Sequence, residues 1–168
     1  MKFHVNYPIV PAILLSVALL SAIGCKKSSS SAGGSGKLSA TVSGSAWASN
    51  YLLLSTYDTG IGSGDFDLVG IQLKNGDTTA VTVQFMSPVV LNKAFSSDSS
   101  YIQVTYEDNL KNEYDGGFGI GGHSVVMVTS YDSTGHKIAG TFSGVLYDYN
   151  GDSLIVTNGA FNTSFTLP

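Results

Sequence analysis

Arginine is absent from the 168 residues, and the eight basic residues, all lysine, face ten aspartates plus Glu107 and Glu113. A chain of formal charge −4 with no guanidinium fork lacks the usual means of neutralising a phosphate backbone, which argues against nucleic acid as a partner. Charged residues make up 12% of the chain, about half the globular norm of roughly 25%. Cysteine occurs once, at Cys25, so no internal disulfide can form. Helical patterning is missing too: from Lys37 onwards no stretch of ten or more residues spaces its apolar side chains by three and four. Beyond Gly24 only His123 and His136 offer an imidazole, and no serine stands in a G-x-S-x-G turn, so nucleophilic catalysis has little to work with. What the chain does hold, 20 glycines and 11% aromatics, points to a β-rich, turn-dense protein.

Residues 1–24 read as an export signal. Lys2 supplies a small positive start, and Pro8–Gly24 is an uncharged run of 17 residues with its apolar centre at Ala12–Leu20. Such a run, interrupted by Pro8 and Pro11, is short for a hydrocarbon core of ~30 Å, so an uncleaved anchor fits less well than a signal. The segment ends in Ser21-Ala22-Ile23-Gly24-Cys25, which resembles the lipobox of bacterial lipoproteins, with Ala22 where that pattern prefers leucine. The resemblance implies that Cys25 becomes the first mature residue and carries diacylglycerol on its sulfur and an acyl chain on its amino group. Cleavage by an ordinary signal peptidase, leaving a soluble protein, is the alternative. Residues 25–36 are then the lipidated cysteine and a Ser/Gly tether, Lys26–Gly36, with a root-mean-square reach of ~20 Å. Some Bacteroidota lipoproteins carry acids just after the cysteine as a signal for surface display. Lys26 and Lys27 stand here instead, which implies the periplasmic face of the outer membrane.

Residues 37–168 read as one all-β domain, an antiparallel sandwich or barrel of about nine to ten strands. Period two recurs in Leu38, Ala40 and Val42, in Val81, Val83 and Phe85, and in Ile102, Val104 and Tyr106. It is clearest in Ile138, Gly140, Phe142, Gly144 and Leu146, and it places Phe161, Phe165 and Leu167 on one face. Turn chemistry separates these runs: Asn75-Gly76, Asp132–Gly135, Asn150-Gly151-Asp152 and Asn158-Gly159 each predict an antiparallel neighbour. Asp58–Asp65, Met86–Ser100 and Asp108–Gly122 read as longer connections.

Three segments, Val128–Asp132, Lys137-Ile138-Ala139-Gly140-Thr141-Phe142 and Ile155-Val156-Thr157-Asn158-Gly159-Ala160-Phe161, resemble the C-terminal strands of a family of Bacteroidota lipoproteins carrying a domain of unknown function. Leu38-x-Ala40-x-Val42-x-Gly44-x-x-Trp47 is similar to that family's first strand and its tryptophan. The resemblance covers both ends of the domain, not residues 51–122, and implies an all-β lipoprotein without supplying an activity.

Several motifs bear on chemistry. Gly117-Phe118-Gly119-Ile120-Gly121-Gly122 matches G-x-G-x-x-G, yet the β-branched stretch after it provides no helix to hold a pyrophosphate, so no nucleotide is expected. Asp148, Asn150 and Asp152 set three oxygen-bearing side chains at alternating positions, which suits calcium and equally suits a solvated hairpin turn. Glu107, Asp108, Glu113 and Asp115 crowd one stretch, and Asp65 and Asp67 share a face if extended. A carboxylate pair of that kind could serve glycoside hydrolysis. Trp47, Tyr147 and Tyr149 are candidate stacking platforms for a glycan, against the plainer role of covering sheet faces. His123 and Ser124, adjacent in a strand, would point to opposite faces and form no dyad.

The expectation is therefore a lipid-anchored cell-envelope protein, bound to the membrane through its N-terminal lipid and lacking enzymatic activity. It would bind a glycan or another envelope protein, or present a structural surface. A polysaccharide hydrolase using an Asp/Glu pair and a calcium-stabilised adhesion module are the alternatives. The domain's five lysines and twelve acids give it a formal charge of −7, which favours a neutral or cationic ligand.

Overall fold

The computed structural model describes residues 36–58, 64–86, 88–117 and 121–167. The segments expected to be an export signal, a lipidated Cys25 and a tether lie, up to residue 35, outside the described residues. Ser31–Pro168 forms one compact unit, and among the described residues its buried core runs from Leu38 to Phe165.

The fold is all-β, with eleven strands among the described residues where composition and periodicity suggested nine or ten. In order they are β1 (Lys37–Val42), β2 (Ser45–Ala48), β3 (Leu52–Asp58), β4 (Asp65–Lys74), β5 (Asp77–Met86), β6 (Ala94–Ser96), β7 (Ile102–Glu107), β8 (Glu113–Asp115), β9 (His123–Asp132), β10 (Lys137–Tyr147) and β11 (Ser153–Ser164). The short strands β6 and β8 fall inside stretches that read as connections. The hydrogen-bonded order is β2-β1-β11-β10-β8-β7-β5-β4-β3, and β9 branches from β10 to carry β6. Strand β10 joins the two layers of a sandwich-like fold: Lys137 to Val145 pair with β9, while Tyr147 alone pairs with Asp115 of β8. The ladder does not close. One parallel bridge, Thr56 to Thr166, ties the far edge β3 to the chain just past β11, with Thr166 N donating to Ser55 O at 3.0 Å.

The alternation read from the sequence is the alternation of burial. Along β10, Ile138, Gly140, Phe142, Gly144 and Leu146 face in, and Val81, Val83 and Phe85 do so on β5. The two layers meet through aromatic rings. Phe85 stacks on Phe161 of the opposite layer with centroids 6.0 Å apart, and Phe66 stacks on Phe85 at 5.1 Å. Phe165 then closes this end of the core against Phe66, Tyr131 and His136.

Asn75-Gly76 makes the β4–β5 hairpin with both residues at positive φ, 56° and 91°, as a two-residue turn requires. Asn158-Gly159, by contrast, makes no hairpin. It lies within β11, where Asn158 has φ 52° and the β10–β11 register shifts; the same positive φ that suits a turn here accommodates a bulge. Leu167 also departs from the expected face: it is 49% exposed, because the chain leaves the sandwich after Phe165 to bridge to Thr56.

Candidate functional site

The three aromatic candidates do not come together. Trp47 is buried between β1–β2 and β4–β5, its Nε1 donates to Thr79 Oγ1 at 2.8 Å, and its six-membered ring faces Gly70. It is a core residue and offers no face for stacking on a ligand, which corrects the expectation that it serves as a platform. The reason is local: β2 is four residues long and Trp47 is its one inward anchor. Tyr147 is half-buried at the end of β10, and Tyr149 is 86% exposed on the adjoining turn.

Asp148, Asn150 and Asp152 form a hairpin turn. Asp148 Oδ1 accepts from Asn150 N at 2.9 Å and Asp152 N at 2.8 Å, and Oδ2 accepts from the Asn150 side-chain amide at 3.1 Å. Burial pushes the Asp148 carboxyl up, but those donors outweigh it and hold the group below the usual carboxylate range. Among the described residues no three His, Cys, Asp or Glu side chains converge in a way that could hold a metal ion.

Of the acidic stretch, Glu107 and Glu113 face each other across β7–β8. Glu113 is raised above its ordinary pKa, first by burial and then by Asp115 and Glu107. Asp115 is already engaged by the Gln103 side-chain amide at 2.7 Å and by Gly117 N at 2.5 Å. Asp67 accepts from Gln84 Nε2 at 2.7 Å, whereas Asp65 Oδ1 is buried without a partner. His123 is exposed and meets Asp98 at 3.0 Å, while Ser124 beside it is fully buried, so the pair forms no dyad. The glycine-rich match lies partly outside the described residues, and it leads into strand β9, not into a helix.

A different feature has the form of a binding site. Between β5, β7 and β9 lies a cavity of about 180 Å³. Phe85, Ile102, Val126 and Val128 make its floor, Phe95 of β6 lines it as well, and Met86, Pro88, Val89, Ser100 and Tyr101 surround it. It exists because the chain crosses from one layer to the other between β5 and β6 and back between β6 and β7. Two anchors hold this crossing on β9: Asn92 N donates to Val128 O at 2.8 Å, and Ser97 N to Ser124 O at 2.9 Å. Ser97 Oγ also accepts from Ser124 N at 3.0 Å, and Lys93 Nζ sits 5.2 Å from the centre of the Phe95 ring. With β6 only three residues long, the crossing covers the gap without filling it.

Among the described residues no carboxylate, imidazole or amine lines this cavity, and the hydroxyls of Ser100 and Tyr101 are the polar side-chain groups that do. Such a lining can hold an apolar group. A larger and more open depression, of about 450 Å³, lies on the outer face of β6, β9, β10 and β11, bordered by Ala94, Met127, Thr141, Asn158 and Ala160. Sequence reasoning passed over the cavity, although Pro88-Val89-Val90-Leu91 was a signal: an apolar run inside a connection has to be covered by something or cover something. No family model, curated protein or solved structure matches the chain.

Proposed function

We propose that the protein is a lipid-anchored cell-envelope protein, held by an acylated Cys25 at the periplasmic face of the outer membrane, whose β-domain is a non-enzymatic binding module. The observation that carries the binding reading is the apolar cavity under the 88–101 crossing. At about 180 Å³ it exceeds the ~150 Å³ engineered cavity that holds benzene, so it suits one six-membered ring or a chain of roughly six methylenes. A polar head on that ligand would sit at the mouth, within the neighbourhood of Ser100 and Tyr101. The ligand is apolar rather than a sugar because the floor is entirely hydrocarbon and Trp47 is withdrawn into the core.

Two experiments test the two halves of this reading. In cells, the wild-type chain is expected to incorporate labelled fatty acid and the Cys25→Ala chain none; equal labelling would sink the anchor. In solution, octanoate is expected to bind one site per molecule in titration calorimetry, with the binding lost on Val89→Phe or Val126→Leu and the β-sheet circular dichroism unchanged. Octanoate binding that ignores both substitutions would sink the cavity as the site.

A further inference from the structure

The geometry points to a second role for the crossing: we infer that the end of the domain bearing Val90 and Leu91 docks on the bilayer, with these two side chains at the boundary between headgroups and acyl chains. The inference rests on the proposed anchoring through Cys25.

Val90 and Leu91 are 44% and 49% exposed, and Val89 precedes them, so three apolar residues occupy one turn. Asn92 at φ 58° and its hydrogen bond to Val128 O fix that turn to β9. A rigid apolar tip loses little conformational entropy on insertion. Tyr101, 62% exposed, lies across the cavity mouth, and a tyrosine is favoured at a lipid headgroup level. Lys93, exposed and with its Nζ 5.2 Å from the centre of the Phe95 ring, comes just after the tip and sets a positive charge beside it.

The chain enters the domain at this same end. Gly36 lies against Thr163, two residues before Phe165. Phe165 packs on Phe66, and Phe66 pairs with Phe85, the neighbour of Met86 at the cavity mouth. A tether of ~20 Å therefore starts at the same end of the domain as the tip, with β11, β10 and β9 between β1 and β6, and holds that end near the membrane surface at high effective concentration. Charge is arranged to match. In this half of the domain Lys37, Lys93 and Lys137 stand against Asp58, Asp65, Asp67 and Asp132, a formal charge of −1. The far half sets only Lys74 and Lys111 against Asp77, Asp98, Glu107, Asp108, Glu113, Asp115, Asp148 and Asp152, a formal charge of −6, and the β4–β5 and β7–β8 hairpins there touch where Asn109 Nδ2 donates to Asp77 Oδ1 at 3.3 Å. Leu110 and Tyr149, each alone in an acid-bearing turn, and Tyr51 beside Leu73 are also exposed at that acidic end, where the formal charge sets them against an anionic surface.

The test uses residues 31–168, which carry the whole core and lack Cys25, so its outcome does not depend on whether that residue is acylated. Because this unit contains no cysteine, an environment-sensitive fluorophore can be placed at Leu91→Cys or, as the opposite-end control, at Leu110→Cys. With phosphatidylcholine vesicles containing a minor fraction of phosphatidylglycerol, the Leu91 label is expected to shift to the blue and the Leu110 label to stay unchanged. Sedimentation with the same vesicles is expected to weaken on the order of ten-fold in Val90→Asp/Leu91→Asp and not in Leu110→Asp. A blue shift at position 110 instead, no shift at either position, or equal sedimentation of all three proteins would overturn the inference.

Discussion

Trp47 Nε1 donates to Thr79 Oγ1 at 2.8 Å, joining β2 at the edge of one layer to β5 in the middle of the other. Thr79→Val keeps the shape of the side chain and removes this bond, leaving a buried indole N–H unpaired. The expected cost is about 1–3 kcal/mol in urea unfolding. Trp47→Phe/Thr79→Val should cost less than the two single changes added together, since they share one interaction.

Gly140 is needed for close approach. It lies in β10 opposite Phe161, and a Cβ there would press on the Phe161 ring and on the Met127 carbonyl oxygen of β9. A ring can tilt, but a carbonyl in a ladder cannot withdraw without breaking its pairing. Gly140→Ala should therefore cost about 1–3 kcal/mol and lower the melting temperature by several degrees. Gly76→Ala, in a turn with open space around it and φ 91°, should cost about 1 kcal/mol from backbone strain alone.

Stability should depend on pH with two opposing slopes. Burial, then Asp115 and Glu107, raise the folded-state pKa of Glu113, so the folded chain takes up that proton before the unfolded chain does. Stability from this group rises as pH falls from neutral through the raised pKa. Asp108 and Asp148 behave in the opposite sense. Burial raises each, but hydrogen bonds from Asn112 and Leu110 to Asp108, and from Asp152 and Asn150 to Asp148, outweigh it and hold both low. Their contribution is complete above the unfolded carboxylate pKa and is lost as pH falls through the depressed folded values. The melting temperature should pass through a maximum on the mildly acidic side. Glu113→Gln should raise it at neutral pH and abolish the rise on mild acidification, which a calorimetric pH series would check.

Regular pairing was legible in the sequence wherever a strand has one wet and one dry face. The β10 alternation and the Asn75-Gly76 turn are local patterns with local causes, and the structure carries both. What depends on distant partners was not legible. Asn158-Gly159 has the residues of a turn but sits in β11, because pairing on both sides by β1 and β10 holds the strand straight through a bulge. Trp47 has the chemistry of a glycan platform, and only the arrival of β4 and β5 over β2 decides that it is core. Strands β6 and β8, three residues each, are too short to show a period. The cavity is formed by Phe85, Ile102 and Val126 from three strands far apart in the chain, so no window of sequence contains it.

The space beneath the 88–101 crossing is where an apolar ligand is expected, and methyl NMR during titration with octanoate is the sharpest test of it. Saturable shifts are expected at the methyl groups of Ile102, Val126 and Val128, with none at Leu154 in β11 and with the response lost in Val89→Phe. Shifts scattered over the surface methyls of Val90, Leu91 and Ile155, with Val126 and Val128 unmoved, would contradict binding in the cavity.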